Sequence, residues 1–244
     1  MLDANSSFRN GDIVVRATDT DILVILLHHC HKVSMNVWMD VGTSGRGNRR
    51  YVNISAIATQ IGYQLCKALP GFHAYTGCDY TAAFIRKGKK RPLAIAEKDE
   101  QYLDALYALA SGPVDDATCK VIEEFTGKMY GAKKKTPLNK HRYLIFEKTF
   151  GPKNGKQPFA KLKGLDASSI PPSESVVRQK IHRSNFVAMM WHAAGDNLLP
   201  KEPQHGWELH DNSYSIVWFT CPQMPESVIP ENSESNEDDE EDGT

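Results

Sequence analysis

The chain has 244 residues, 41% hydrophobic and 24% charged, enough apolar material for one domain or one and a half, which excludes a chain disordered throughout. Its longest purely aliphatic run, Ile22 to Leu27, is far short of the roughly 20 residues of a membrane span, and no basic-then-apolar signal opens it, so a soluble intracellular protein is expected. The net charge of −1 hides a segregation: residues 226–244 hold nine acidic side chains and no basic one, leaving the first 225 residues at +8. Such a body attracts a polyanion, while the tail from Glu231 to Thr244 is too polar to pack and is expected to be disordered.

In chain order, Asp12 to Ala17 has the β-branched content of a short buried strand and runs straight into Thr18-Asp19-Thr20-Asp21. Ile22 to His31 is apolar nearly all round and reads as an interior helix capped by a Thr or Asp. Asn36 to Asp40 and Arg50 to Ile54 read as two strands joined by Gly42 to Asn48, whose glycines suggest a mobile hairpin. That stretch lacks the Gly-Lys-Ser/Thr of a Walker loop. From Ser55 onward, Ile57, Ile61, Leu65 and Leu69 follow an i, i+4 helical face, and Pro70 is expected to restart the chain into a second short helix ending near Gly77.

Further helices are expected over 100–111, 114–130, 138–149 and 174–193, with Val121, Phe125 and Met129 forming one stripe. Residues 153–163 and Ile170-Pro171-Pro172 read as linkers, and Tyr214 to Phe219 as a strand. Cys30, Cys66, Cys78, Cys119 and Cys221 contain no Cys-x-x-Cys pair, so reduced, mostly buried thiols are expected rather than a zinc ribbon or a disulfide framework. His28, His29 and His31 lie on the core segment near Cys30, and with no second ligand pair spaced to close a tetrahedron they read as satisfied core histidines.

The chemistry concentrates where the first strand ends. Side chains two residues apart can point to one side of a strand edge, so Asp19 and Asp21 can form an oxygen-rich site for Mg²⁺ or Mn²⁺, or can simply cap the following helix. A third carboxylate, Asp79, lies in Tyr75-Thr76-Gly77-Cys78-Asp79-Tyr80. Beyond it, five of the six residues from Arg86 to Arg91 are basic, around Gly88, a pattern suited to phosphate contact and also to a solvated loop or a nuclear-import patch.

Ala17-Thr18-Asp19-Thr20-Asp21 followed by Gly77-Cys78-Asp79-Tyr80 resembles the PIN-like, flap-endonuclease-type 5′-nuclease superfamily, which keeps an Asp-x-Asp element at a strand end and a later Gly-Cys-Asp-Tyr. The likeness is closest to a group of mobile-element-associated animal proteins. It extends from residue 13 to about residue 220 through Asp19 to His29, Ala68 to Asp79, Asn139-Lys140-His141-Arg142-Tyr143, Ile170-Pro171-Pro172-Ser173, Arg183-Ser184-Asn185-Phe186 and Gly206-Trp207.

The resemblance implies an α/β fold, with a PIN-like, Rossmann-like, mostly parallel sheet flanked by helices. An N-terminally truncated nuclease core with a basic, helical-hairpin-like segment would occupy residues 1–98, a mainly helical extension 99–222, and a disordered acidic tail 223–244. Asp19, Asp21 and Asp79 would be the catalytic metal ligands for Mg²⁺ or Mn²⁺. Arg86, Lys87, Gly88, Lys89, Lys90 and Arg91 would hold nucleic-acid phosphates, DNA ahead of RNA, in a nuclear protein. The family also draws carboxylates from a Glu/Asp-rich helix before the first strand. Here residues 1–11 offer only Asp3, with Asp12 and Asp40 read as solvated strand ends, so a catalytically inactive nucleic-acid-binding or interaction module is the alternative expectation.

Overall fold

A computed structural model describes residues 11–42, 49–133, 135–150, 167–195 and 205–218. The expectations for the loop at 43–48, the linker at 153–163, Phe219, Cys221 and the acidic tail lie outside these residues.

β1 (Asp12–Arg16) alternates exposed and half-buried positions, so it covers the core with Ile13 and Val15 and turns Val14 outward. β2 (Asn36–Val41) is central and carries the fully buried Val37 and Met39. β1 runs parallel to β2, with Ile13 opposite Val37 and Val15 opposite Met39. A parallel pair needs a crossover, supplied by α1 (Thr20–His29) and the one-turn helix Cys30–Lys32. β3 (Arg50–Asn53) pairs antiparallel with β2. The described sheet is therefore a small mixed one, in the order β1-β2-β3, rather than mostly parallel: the connection from β2 to β3 is too short for a crossover and allows only a reversal.

The remaining described residues are mainly helical: α2 (Ile54–Ile61), α3 (Tyr63–Thr76), α4 (Lys90–Ala96), α5 (Glu100–Ser111), α6 (Asp116–Met129), α7 (Leu138–Phe150) and α8 (Glu174–His192). Local chemistry marks the starts. Asn53, Asp99, Asp115 and Ser173 each accept a backbone N–H of the helix that follows them.

The break between α2 and α3 falls at Gly62, whose φ of 82° suits glycine, and not at Pro70. α3 runs through Pro70. Proline removes the N–H that would have bonded the carbonyl four residues back, that of Cys66, and this carbonyl is taken instead by His28 Nδ1 at 3.4 Å.

Two apolar clusters result. One lies under the sheet around Val37, Met39 and Ile54; the other joins α3, α5, α6 and α8 around Phe72, Leu109, Phe125 and Ile181, and Leu69 packs against both. α3 and α5 approach so closely that a Cβ on Gly71 would stand 1.8 Å from the Leu106 carbonyl oxygen. In the helical core the buried Tyr75 hydroxyl donates to Thr126 Oγ1 at 2.5 Å, and Thr126 in turn donates to the Ile122 carbonyl at 2.8 Å. Of the expected stripe on α6, Phe125 and Met129 are fully buried, with Ile122 beside them and Val121 at the margin. A hairpin, β4 (Trp207–His210) and β5 (Ser213–Ile216), turns through Asp211 and Asn212, both at positive φ as a two-residue turn requires. None of the described helices is long and apolar enough to cross a membrane.

Candidate functional site

Asp19 stands one residue ahead of α1, where β1 has ended, and its Oδ1 accepts the Asp21 N–H at 2.8 Å. It is the cap of α1, and its side chain is otherwise turned toward solvent. Asp21, a first-turn residue of α1, is buried. Its Oδ1 accepts a hydrogen bond from His73 Nε2 on α3 at 2.8 Å.

One turn further along α3, the chain leaves the helix at Gly77, whose φ of 114° and contact with Ala83 leave no room for a side chain. Cys78 and Thr81 then exchange backbone hydrogen bonds of 3.0 and 3.3 Å, and the turn they close lifts Asp79 and Tyr80 into solvent.

Lys89 draws these pieces together. Its Nζ donates to the carbonyls of His73 (3.1 Å) and Gly77 (2.5 Å) and to the hydroxyl of Thr76 (2.9 Å), closing the last turn of α3 where carbonyls lack helical partners. Burial pushes its pKa down to about 8, opposed by the nearby Cys78 and Asp21. Burial and the Lys89 charge also lower His73, against the pull of its bond to Asp21 and of the Asp19 carboxylate. Asp19, Asp21, His73 and Lys89 thus share one electrostatic neighbourhood at the end of β1.

Asp19 and Asp79 offer exposed hard oxygens of the kind Mg²⁺ or Mn²⁺ prefers, while the Asp21 carboxylate is engaged by His73 with an ammonium nearby. Among the described residues, no three His, Cys, Asp or Glu side chains are placed to hold one metal ion. Asp40 departs from the solvated strand end expected for it: it is 2% exposed and takes a bidentate pair of bonds, Arg49 Nε to Oδ1 at 3.0 Å and Nη2 to Oδ2 at 2.7 Å, which holds its carboxyl below the ordinary range. Asp12 is exposed and accepts from Asn36 at 3.2 Å.

The basic segment divides by direction. Arg86, Lys90 and Arg91 are exposed, Gly88 has open space around it, Lys87 places its ammonium 4.3 Å from the centre of the Tyr130 ring, and Lys89 faces inward as described. Between Thr81 and Lys89 the chain is not helical and turns at Ile85 and Arg86, and the next helix, α4, has seven residues.

No protein-family model, curated protein or solved structure matches this chain.

The later residues singled out in the sequence tie the helices together. Asn139 and Glu174 exchange backbone-to-side-chain bonds, Arg142 donates to the Pro171 carbonyl, Ser173 caps α8, and the buried Asn185 amide donates to the carbonyls of Leu109 and Gly112. Arg183 packs on Gly206 and bonds the carbonyl of Val217, holding the hairpin against α8.

The histidines of α1 are core ties as well. Because the Cys66 carbonyl can only accept, His28 carries its proton on Nδ1, and its Nε2 then accepts from His192 Nδ1 at 2.8 Å. His29 Nε2 donates to the Trp191 carbonyl at 3.0 Å. Burial, with the neighbouring histidines, pushes His28 down to about 4.

His73 and the structural role of Lys89 were not legible as site features. The available signal for His73 was a titratable ring within the apolar run Pro70 to Ala74, which needs a partner once buried, and a carboxylate inside an equally apolar helix, Asp21, that needs one too.

Proposed function

We propose that the chain is a PIN-like nuclease that hydrolyses phosphodiester bonds of nucleic acid, DNA ahead of RNA, with Asp19, Asp21 and Asp79 as ligands of Mg²⁺ or Mn²⁺. The observation that carries this reading is the contact series from Asp21 through His73 and Lys89 to Gly77, which draws the start of α1 and the end of α3 to one place. Those are the two segments that bear the motif carboxylates. The parallel β1-α1-β2 unit, with its carboxylates beyond the carboxyl end of β1, agrees with where open α/β sheets bind ligands. The metal, when bound, supplies an activated water and stabilises the leaving oxygen. The chain's own part is to fix Asp21 through His73, to present Asp19 and Asp79 at the surface, and to hold backbone phosphates with Arg86, Lys90 and Arg91.

Calorimetric titration of Mn²⁺ into the parent chain, Asp19→Asn and Asp79→Asn tests this. Binding lost in both variants, with cleavage abolished by Asp79→Asn, is the expected result; a parent chain that binds no Mn²⁺ overturns it. One observation favours a second reading, an inactive binding module: the Lys89 ammonium already supplies positive charge beside Asp21. In that case the parent cleaves nothing, and Asp79→Asn binds nucleic acid as well as the parent or better.

A further inference from the structure

Immediately beyond Asp79 the surface opens into a cavity of about 600 Å³ between the Tyr80–Ile85 segment, the start of α8 and the end of the β4-β5 hairpin. Two of its aromatic side chains are strongly exposed, Tyr80 at 71% and Trp218 at 63%. Large aromatic faces left in water beside a cavity are unusual for a side chain whose role is packing.

The same cavity is lined by three cations, Arg142, Lys180 and Arg183, and by no carboxylate among the described residues. Each donates to a backbone carbonyl, of Pro171, Ala82 and Val217 respectively, and no carboxylate among the described residues forms an ion pair with any of them. Carbonyls satisfy donors without neutralising charge. All three cations have their pKa lowered by burial, Lys180 to about 8, which reports the cost of removing them from water without a counter-charge. The Arg183 guanidinium also lies 5.7 Å from the centre of the Trp218 ring, so charge and aromatic face are presented together.

An occupant that answers these features has a flat aromatic part and a negative charge. The geometry points to this cavity as a binding site for an unstacked nucleotide of a single strand, its base against Tyr80 and Trp218 and its phosphate toward Arg142, Lys180 and Arg183. The choice of a nucleotide among aromatic anions rests on the nucleic-acid reading above. Stacking on aromatic faces with cations along the backbone is how single strands are held without sequence preference. The position of Tyr80 next to Asp79 would deliver the strand to the candidate carboxylates.

The test is fluorescence anisotropy of a labelled oligothymidylate on the full chain in EDTA, so that binding is read without cleavage. Tyr80→Ala and Trp218→Ala should each weaken binding about tenfold, and Tyr80→Phe should restore it, since the ring and not the hydroxyl is used. Oligothymidylate affinity unchanged in both alanine variants overturns the cavity site while leaving the nuclease reading intact. A polyglutamate peptide that binds in place of the oligonucleotide, and loses affinity in those same variants, overturns it in favour of an acidic protein partner. The nuclease reading is tested separately by Mn²⁺-dependent cleavage and its loss in Asp79→Asn.

Discussion

The buried carboxylate of Asp21 on α1 and the imidazole of His73 on α3 meet at 2.8 Å, one element from each side of the candidate site. Removing the carboxylate leaves a buried N–H without an acceptor, so Asp21→Ala is expected to lower stability by about 1–3 kcal/mol. Asp19→Ala loses a helix cap and should cost about 1 kcal/mol. Asp79→Ala, at an exposed turn, should stay within about 0.5 kcal/mol of the parent. Urea unfolding of the three variants gives the order directly; an Asp79 variant as unstable as the Asp21 variant would contradict the exposed placement of Asp79.

Lys89 makes a sharper distinction. Its ammonium closes α3 and repels cations from Asp21, so Lys89→Met should bind Mn²⁺ more tightly than the parent while losing about 1–3 kcal/mol of stability as three acceptors lose their donor. Calorimetry at matched ionic strength reads the first effect and urea unfolding the second. Unchanged or weaker Mn²⁺ binding would show that Asp21 and a metal do not share space.

For the basic segment, direction matters more than count. Lys90→Glu and Arg91→Glu should each weaken nucleic-acid binding and reduce the dependence of log affinity on log salt by about 1. A salt-dependent binding curve unchanged by both substitutions would remove this face from the interface.

Stability should fall in acid through His28. Its folded pKa is about 4, below the unfolded value near 6.5, so the unfolded chain binds more protons as the pH drops through that window. The contribution is complete above about pH 6.5 and shrinks by about 3 kcal/mol toward pH 4. His29 and His73, also lowered by burial, act in the same direction. Urea midpoints across this window should show a slope that His28→Gln reduces; an equal slope in the variant would assign the acid sensitivity elsewhere.

In the helical core, Tyr75→Phe should cost about 1 kcal/mol, because Thr126 keeps its own bond to the Ile122 carbonyl. Thr126→Val strands the buried tyrosine hydroxyl and should cost more, about 1–3 kcal/mol. Thermal or urea unfolding of the pair checks the asymmetry.

Periodicity carried most of the local architecture. The helix after Asp21, the strand pair at Asn36 and Arg50, and the helices at 100–111, 138–149 and 174–193 follow from apolar spacing and caps that act within a few residues. The α2-α3 break was misassigned because proline is read as a local breaker. Its effect on the helix is compensated here by His28, which takes the orphaned carbonyl of Cys66 from 38 residues away in sequence. The sheet's mixed character depended on which way the chain returns after Val41. At the site, the capping role of Asp19 was legible because a cap acts two residues away; the inward turn of Lys89 was not, since five neighbouring basic residues look alike until the carbonyls at the end of α3 are in place.

The missing methyl group at Gly71 reaches further than its own helix. Every other amino acid brings a Cβ into the Leu106 carbonyl, so in a saturation library scored for folded protein this codon should tolerate no replacement, although glycine itself carries no side chain there. α3, which turns His73 toward Asp21 on another of its faces and leads to Asp79, is thereby held at backbone-to-backbone range against α5. A position with no side chain fixes how far the candidate chemistry stands from the helical half of the molecule.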